Sequence, residues 1–154
     1  MVLTVESSVI VIVLPVTTMQ PAFDLKPVTS YRTNVAIVSE GIKKEMFATR
    51  ECAVVKSNDA VNIQWPVQTG VADIYSITVK YHYASEKPVK GKLQLTGAGS
   101  TMMLDLPVDF IFTRPGQWNQ FTVDTGSMIN AGNYTVKLII DDAEELAVSG
   151  IEIQ

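Results

Sequence analysis

At 154 residues, with 47% hydrophobic and 18% charged side chains, the chain can bury a sizeable core and is too apolar to be disordered. Its net charge of −4 and sequence pI near 4.9 argue against a nucleic-acid partner, which needs a basic stripe to displace counterions, and equally against an anionic membrane surface. Cys52 is the only cysteine, which excludes an intrachain disulfide.

Residues 9–14 are continuously apolar but too short to span a bilayer, and Pro15 stops the run. No basic residue precedes Lys26, and Glu6 sits where a signal peptide would be basic. Residues 1–25 are therefore expected to be an extension, a linker or an extra strand, and 26–154 a single β-sandwich module. Segments 31–38 and 46–56 read as strands joined by the polar turn 39–43, with Cys52 a small core residue of the second. Next, Val61, Ile63, Trp65 and Val67 share one face, with Asn62 and Gln64 on the other. Tyr75, Ile77, Val79, Tyr81 and Tyr83 line one side of the following strand, and Ser76, Thr78, Lys80 and His82 the other. Val89, Leu93 and Leu95 point inward while Lys90, Lys92 and Gln94 point out. The alternating track from Met102 to Phe112 is interrupted by Pro107, which predicts an edge strand or a bulge. Further runs begin after Trp118, at Tyr134 beyond the turn 130–133, and after Leu146. In the last run the apolar phase slips from Leu146 and Val148 to Ile151 and Ile153, which predicts a bulge at Gly150. Eight or nine strands with period-two alternation and no helical period predict an all-β, antiparallel sandwich, with a barrel as the alternative.

Little in this ladder suggests catalysis. His82 is the only histidine, lies in mid-strand between two tyrosines, and is expected on a solvated face. One His and one Cys cannot supply a zinc set, and neither Cys52 nor any serine has an evident partner base. The acidic run 141–145 lacks the alternating Asp/Asn and Gly pattern of a calcium loop and reads as a solvated turn, with a structural calcium as the other reading. Gly97 and Gly99 join two strands and form no phosphate loop. The aromatic residues are the best binding candidates, because rings stack on the C–H faces of sugars while amides and carboxylates bond the hydroxyls. Trp118 and Phe121 are three apart and face opposite ways in a strand, so Phe121 is expected in the core and Trp118 toward a ligand or closing the sandwich end. Tyr83, His82, Asn119, Asn133 and Asp142 complete the candidate set.

Trp65, the stretch from Gly70 to Tyr75, then Val79, Lys80, Tyr81 and Ala84 resemble a pattern in carbohydrate-binding modules of families 6 and 35. Leu93 to Leu95, Trp118 to Phe121, Ala131, Gly132 and Tyr134 to Ile140 continue it in order, and Ile151 to Ile153 resemble its closing strand. The resemblance covers about residues 45–154 and implies a jelly-roll β-sandwich of the galactose-binding-like type. The chain is also similar to the C-terminal accessory modules of gut-bacterial family 2 glycoside hydrolases of the β-galactosidase type. That implies a non-catalytic partner of a catalytic glycosidase domain, an oligo- or polysaccharide ligand such as a galactoside, and a periplasmic or extracellular setting. A purely structural or protein-docking sandwich is the alternative. Where the families carry a sugar-contacting Asn and a neighbouring Asp before the closing strand, Ala147 and Ser149 stand here. The acidic pair that helps hold a structural calcium has no match in 31–35.

Overall fold

The computed structural model describes residues 26–47, 49–143 and 145–154; the apolar run 9–14 lies outside the described residues. Eleven strands are described: β1 Thr29–Arg32, β2 Ile37–Val38, β3 Ile42–Phe47, β4 Arg50–Val55, β5 Val61–Thr69, β6 Ser76–His82, β7 Val89–Thr96, β8 Met102–Phe110, β9 Asn119–Asp124, β10 Gly132–Asp141 and β11 Ala147–Ile153. They form two antiparallel sheets. The first runs β9-β6-β11-β4-β3, with β1 also paired to β11, and the second runs β2-β5-β10-β7-β8. Most connections cross between the sheets, so the loops gather at the two ends of an all-β jelly-roll sandwich.

The core follows from the alternation. Every second residue of β5, including Trp65, is buried, and Ile77, Val79 and Tyr81 of β6 meet Leu93, Val136 and Leu138 from the other sheet in one cluster. As expected, β8 is an edge strand, with Pro107 facing Lys92 of β7 and Val108 and Phe110 buried. The β5 edge is closed in an economical way. Beyond Gln64, which faces Ile37 of β2, Pro66 has no N–H to satisfy, and the N–H of Gln68 donates to the Tyr31 hydroxyl at 3.1 Å.

Two expectations fail near the start. Segment 31–38 is not one strand: a 3-10 turn at Thr33–Val35 hands the chain from β1 in one sheet to β2 in the other. Segment 46–56 is not one strand either, because Phe47 pairs with Arg50 across a tight hairpin in which Thr49 adopts φ +68°. The predicted bulge is present. The register of β11 against β6 shifts between Val148 and Gly150. Before the bulge β11 pairs with β4 at Ala147 and Val148; after it, Gly150 to Ile153 pair with β1. The first sheet thus forks along β11.

Candidate ligand-binding face

The fork and the hairpin shape the outer face of the first sheet. His82 of β6, Ala147 of β11 and Cys52 and Val54 of β4 project away from the main core, yet all are buried. The β3–β4 hairpin lays Phe47 over this patch, and the segment before β9 brings Trp118 beside it, making a second small apolar cluster. The Phe47 ring sits 4.9 Å from His82 and 6.3 Å from Trp118, the latter pair at 90°, and His82 lies 5.8 Å from Trp118. Arg50 caps the arrangement with its guanidinium 4.6 Å from the centre of the Trp118 ring.

His82 is therefore not a solvated residue as the strand pattern implied; the hairpin covers a sheet face that alternation alone assigns to water. It is 3% exposed, and Nε2 accepts the Gly116 N–H at 3.2 Å. An accepting Nε2 places the proton of the neutral ring on Nδ1, which is buried with no partner among the described residues. Cys52 is the core residue expected of it, but of this outer cluster. Burial pushes its thiol from 9.0 up to about 11, with Arg50 opposing and Glu51 adding to the rise. A thiol raised on folding contributes stability that is intact below pH about 9 and lost as the pH climbs toward 11. The folded protein is expected to resist a thiol-reactive disulfide reagent at pH 8 and to react fully once denatured; rapid labelling of the native chain would contradict this burial.

The six candidate residues do not converge. Trp118 alone lies partly buried on the outer face, while Phe121 packs on the main core as expected. Asn119 turns inward, with Nδ2 donating to the Tyr81 hydroxyl at 3.4 Å and Oδ1 accepting the Gln120 N–H at 2.8 Å. Tyr83 is buried and its hydroxyl donates to the Lys87 carbonyl at 2.8 Å. Asp142, at φ +49°, forms an ion pair with Lys87 and shares with Tyr83, Asn58 and Ser85 a groove of about 360 Å3 at one end of the sandwich. Asn133 lies on the second sheet, beside Tyr31, Gln68 and Tyr134. Among the described residues, no group of three or more His, Cys, Asp or Glu is placed to hold a metal ion.

A groove of about 610 Å3 that no local pattern in the sequence directly announced lies over the fork in the first sheet. Its floor is Ser149 to Glu152 of β11 with Lys80 of β6; one wall is Ser30 to Arg32, and the other is Met46 and Thr49 to Glu51 of the hairpin. Lys80 pairs with Glu152 at 2.8 Å across the floor. The sequence held one signal for it, the phase slip that places the bulge. Ala147, at the place where the resemblance implies a sugar-contacting Asn, is fully buried under the aromatic pair, so that place offers no polar group to a ligand.

No protein-family model and no curated protein matches the chain. Solved structures do. A family 35 carbohydrate-binding module from Clostridium thermocellum aligns over 83% of this chain and 98% of its own, at TM-score 0.70 and 15% identity. The C-terminal family 6 module of a marine laminarinase from Zobellia galactanivorans aligns over 83% and 99%, at TM-score 0.62 and 16% identity. A family 6 module from Cellvibrio mixtus lichenase 5A, in complex with cellotriose, aligns over 82% and 95%, at TM-score 0.59 and 13% identity. The fold of this chain is accordingly the β-sandwich of carbohydrate-binding modules of families 6 and 35.

Proposed function

We propose that the chain is a non-catalytic carbohydrate-binding module that serves as an accessory to a glycoside hydrolase, with a family 2 enzyme of the β-galactosidase type as the expected catalytic partner. Its ligand is an oligo- or polysaccharide, a galactoside first among them, met outside the cell or in the periplasm. The observation that carries this reading is Trp118, a partly buried indole held at a fixed angle on the outer face of a sandwich otherwise matched nearly end to end by sugar-binding modules. An aromatic face fixed by packing can stack on a sugar ring with little loss of its own freedom. Binding at one shallow site is expected in the millimolar to micromolar range, about −4 to −8 kcal/mol. Calorimetry against galactosides and plant polysaccharides, repeated with Trp118→Ala, tests it. We expect binding by the native chain and at least a tenfold loss in the variant, on the order of the 1.4 kcal/mol that a lost stacking contact supplies. Absence of binding to every glycan, or binding indifferent to Trp118, would refute the proposal.

A second reading, a sandwich that only docks against a catalytic domain, is favoured by one observation: the Arg50 guanidinium already lies against the Trp118 ring. Stable co-purification with a glycosidase domain in the absence of any glycan affinity would select it.

A further inference from the structure

We propose that His82 is a proton-operated latch on Trp118: the neutral ring holds the turn 114–118 closed on the outer face, and protonation releases the turn with the indole it carries. The latch stands on geometry alone. Its consequence for a ligand rests on the carbohydrate-binding reading, because a displaced Trp118 is a lost stacking face.

The turn is self-contained and lightly tied. The Gln117 N–H donates to the Arg114 carbonyl at 2.9 Å, with Pro115 and Gly116 at the corners and Gly116 at φ +77°. On one side the chain is pinned by buried Thr113, whose N–H donates to the Tyr83 carbonyl at 2.6 Å and whose hydroxyl accepts the Tyr83 N–H at 2.9 Å. On the other side Asn119 enters the ladder opposite Tyr81. Between these anchors, the only hydrogen bond from residues 114–117 to the sheet, among the described residues, is the Gly116 N–H on His82 Nε2 at 3.2 Å. The opposite wall of the cluster is fixed. Phe47 and Arg50 are a ladder pair, and the Cys52 thiol donates to the Arg50 carbonyl at 3.4 Å. The turn, not the hairpin, is the part that can move.

A proton on Nε2 and the closed turn exclude each other. Protonation puts an N–H where the Gly116 N–H already points, so the acceptor becomes a second donor. It also places a full charge in a site that is 3% exposed, against the rings of Phe47 and Trp118 and beside Ala147. The charged groups around the ring do not compensate. Arg50 of the hairpin and Arg114 of the turn are cationic, and the Cys52 thiol, pushed up to about 11, is neutral. Glu45, opposite Cys52 on β3, and Glu145, just before β11, are both ion-paired with Lys56, at 2.9 and 3.4 Å. Asp142 is held by Lys87, and Glu152 by Lys80, the preceding residue on the His82 face of β6. By alternation Glu51 points to the other side of β4 from Cys52, and Tyr81 and Tyr83 face the main core. The faces of Phe47 and Trp118 attract a cation, but Arg50 already lies on the Trp118 ring, and its like charge opposes a second one. Opening the turn gives the ring water, where an imidazole takes up a proton at about pH 6.5. Acid therefore favours the open turn.

The test needs no ligand. His82 is the only histidine, so its ring C–H signals in the NMR spectrum of the untagged chain report a single titration. Between about pH 8 and 5.5, where an imidazole changes charge and ordinary carboxylates do not, we expect that titration to coincide with shifts of the Gly116 amide and Trp118 indole signals, while the amides of β5 and β10 stay in place. In His82→Gln, whose amide oxygen accepts a hydrogen bond but takes no proton in this range, the shifts should vanish. Calorimetry with a neutral plant galactan should show affinity falling about tenfold or more over the same range in the native chain, and no fall in His82→Gln. A ring that titrates while Gly116 and Trp118 stay put, a ring that stays neutral to about pH 5.5 with the turn closed, or a Trp118 shift that persists in His82→Gln each overturns the latch. The native spectra decide it even where His82→Gln fails to fold. Galactan binding that ignores pH while the turn opens overturns the step from latch to ligand. Absence of galactan binding at every pH counts against that ligand alone, because the ligand-free spectra decide the latch.

Discussion

Trp65→Ala is expected to lower the unfolding free energy by about 3–5 kcal/mol, the range for truncating a large aromatic side chain in a core. The site justifies the upper part of that range. Trp65 is fully buried in the middle of β5, opposite Val136 of β10, among the side chains that join the two sheets. A methyl group in its place leaves a void that two sheets tied by many ladder hydrogen bonds cannot collapse to fill. Against the roughly 5–15 kcal/mol that a domain of this kind has in total, such a loss is large, and it corresponds to a Tm drop of roughly 6–20 °C. Trp65→Phe separates packing from polarity. The indole Nε1–H is buried with no acceptor among the described residues, and a phenyl ring removes that donor, offsetting part of the lost volume. Urea unfolding should therefore place Trp65→Phe well above Trp65→Ala, with a cost of about 1–2 kcal/mol. A cost below 1 kcal/mol for Trp65→Ala would mean that the sheets are not held together where the structure puts their core.

What the sequence made legible was whatever depends on period two alone. Val61 to Val67, Ile77 to Tyr81 and Leu93 to Leu95 alternate cleanly because each belongs to a strand with one face on the core, and the structure buries the expected members of each set. Pro107 and the phase slip before Ile151 were legible because a proline and a register change have fixed backbone consequences. The hairpin between Phe47 and Arg50 was not, because residues 46–55 contain no Gly, Pro, Asn or Asp to mark a turn, and the left-handed position falls on Thr49. That miss carried the others with it. Without the hairpin nothing covers His82, and a lone histidine on an outward face belongs to solvent; with it, Phe47 and Trp118 close over the ring. The groove is a contact between segments distant in sequence, Ser30 to Arg32, Thr49 to Glu51 and Ser149 to Glu152. Local patterning carries no record of such a meeting. Trp118 could be read as exposed from its place beside a Pro-Gly turn, but Arg50 on its ring could not.

Gly150→Ala is the substitution expected to break the fold and the groove together. Gly150, the first paired residue after the bulge, has φ +153°, and a Cβ added there would stand 2.5 Å from the carbonyl oxygen of Tyr31 and 3.3 Å from the Cα of Arg32. Both obstacles are backbone of β1, so no side-chain rotation relieves them; β1 itself must move away from β11. The expected cost is about 2–4 kcal/mol, above the usual range for a surface change because it combines backbone strain with the loss of ladder pairing. Hydrogen exchange should show where the cost falls. The amides of Thr29 to Arg32 should lose protection first, while those of β5 and β10, in the other sheet, should open only with the whole domain. Because β1 is one wall of the groove and carries Arg32, the same variant should open that wall at temperatures where the sandwich remains folded. The reverse pattern, with β1 protected and the second sheet loosened, would show that the bulge does not set the fork. The bulge thus links the apolar phase slip visible in the sequence to the divergence of β4 and β1, and that divergence is what leaves the groove open between them.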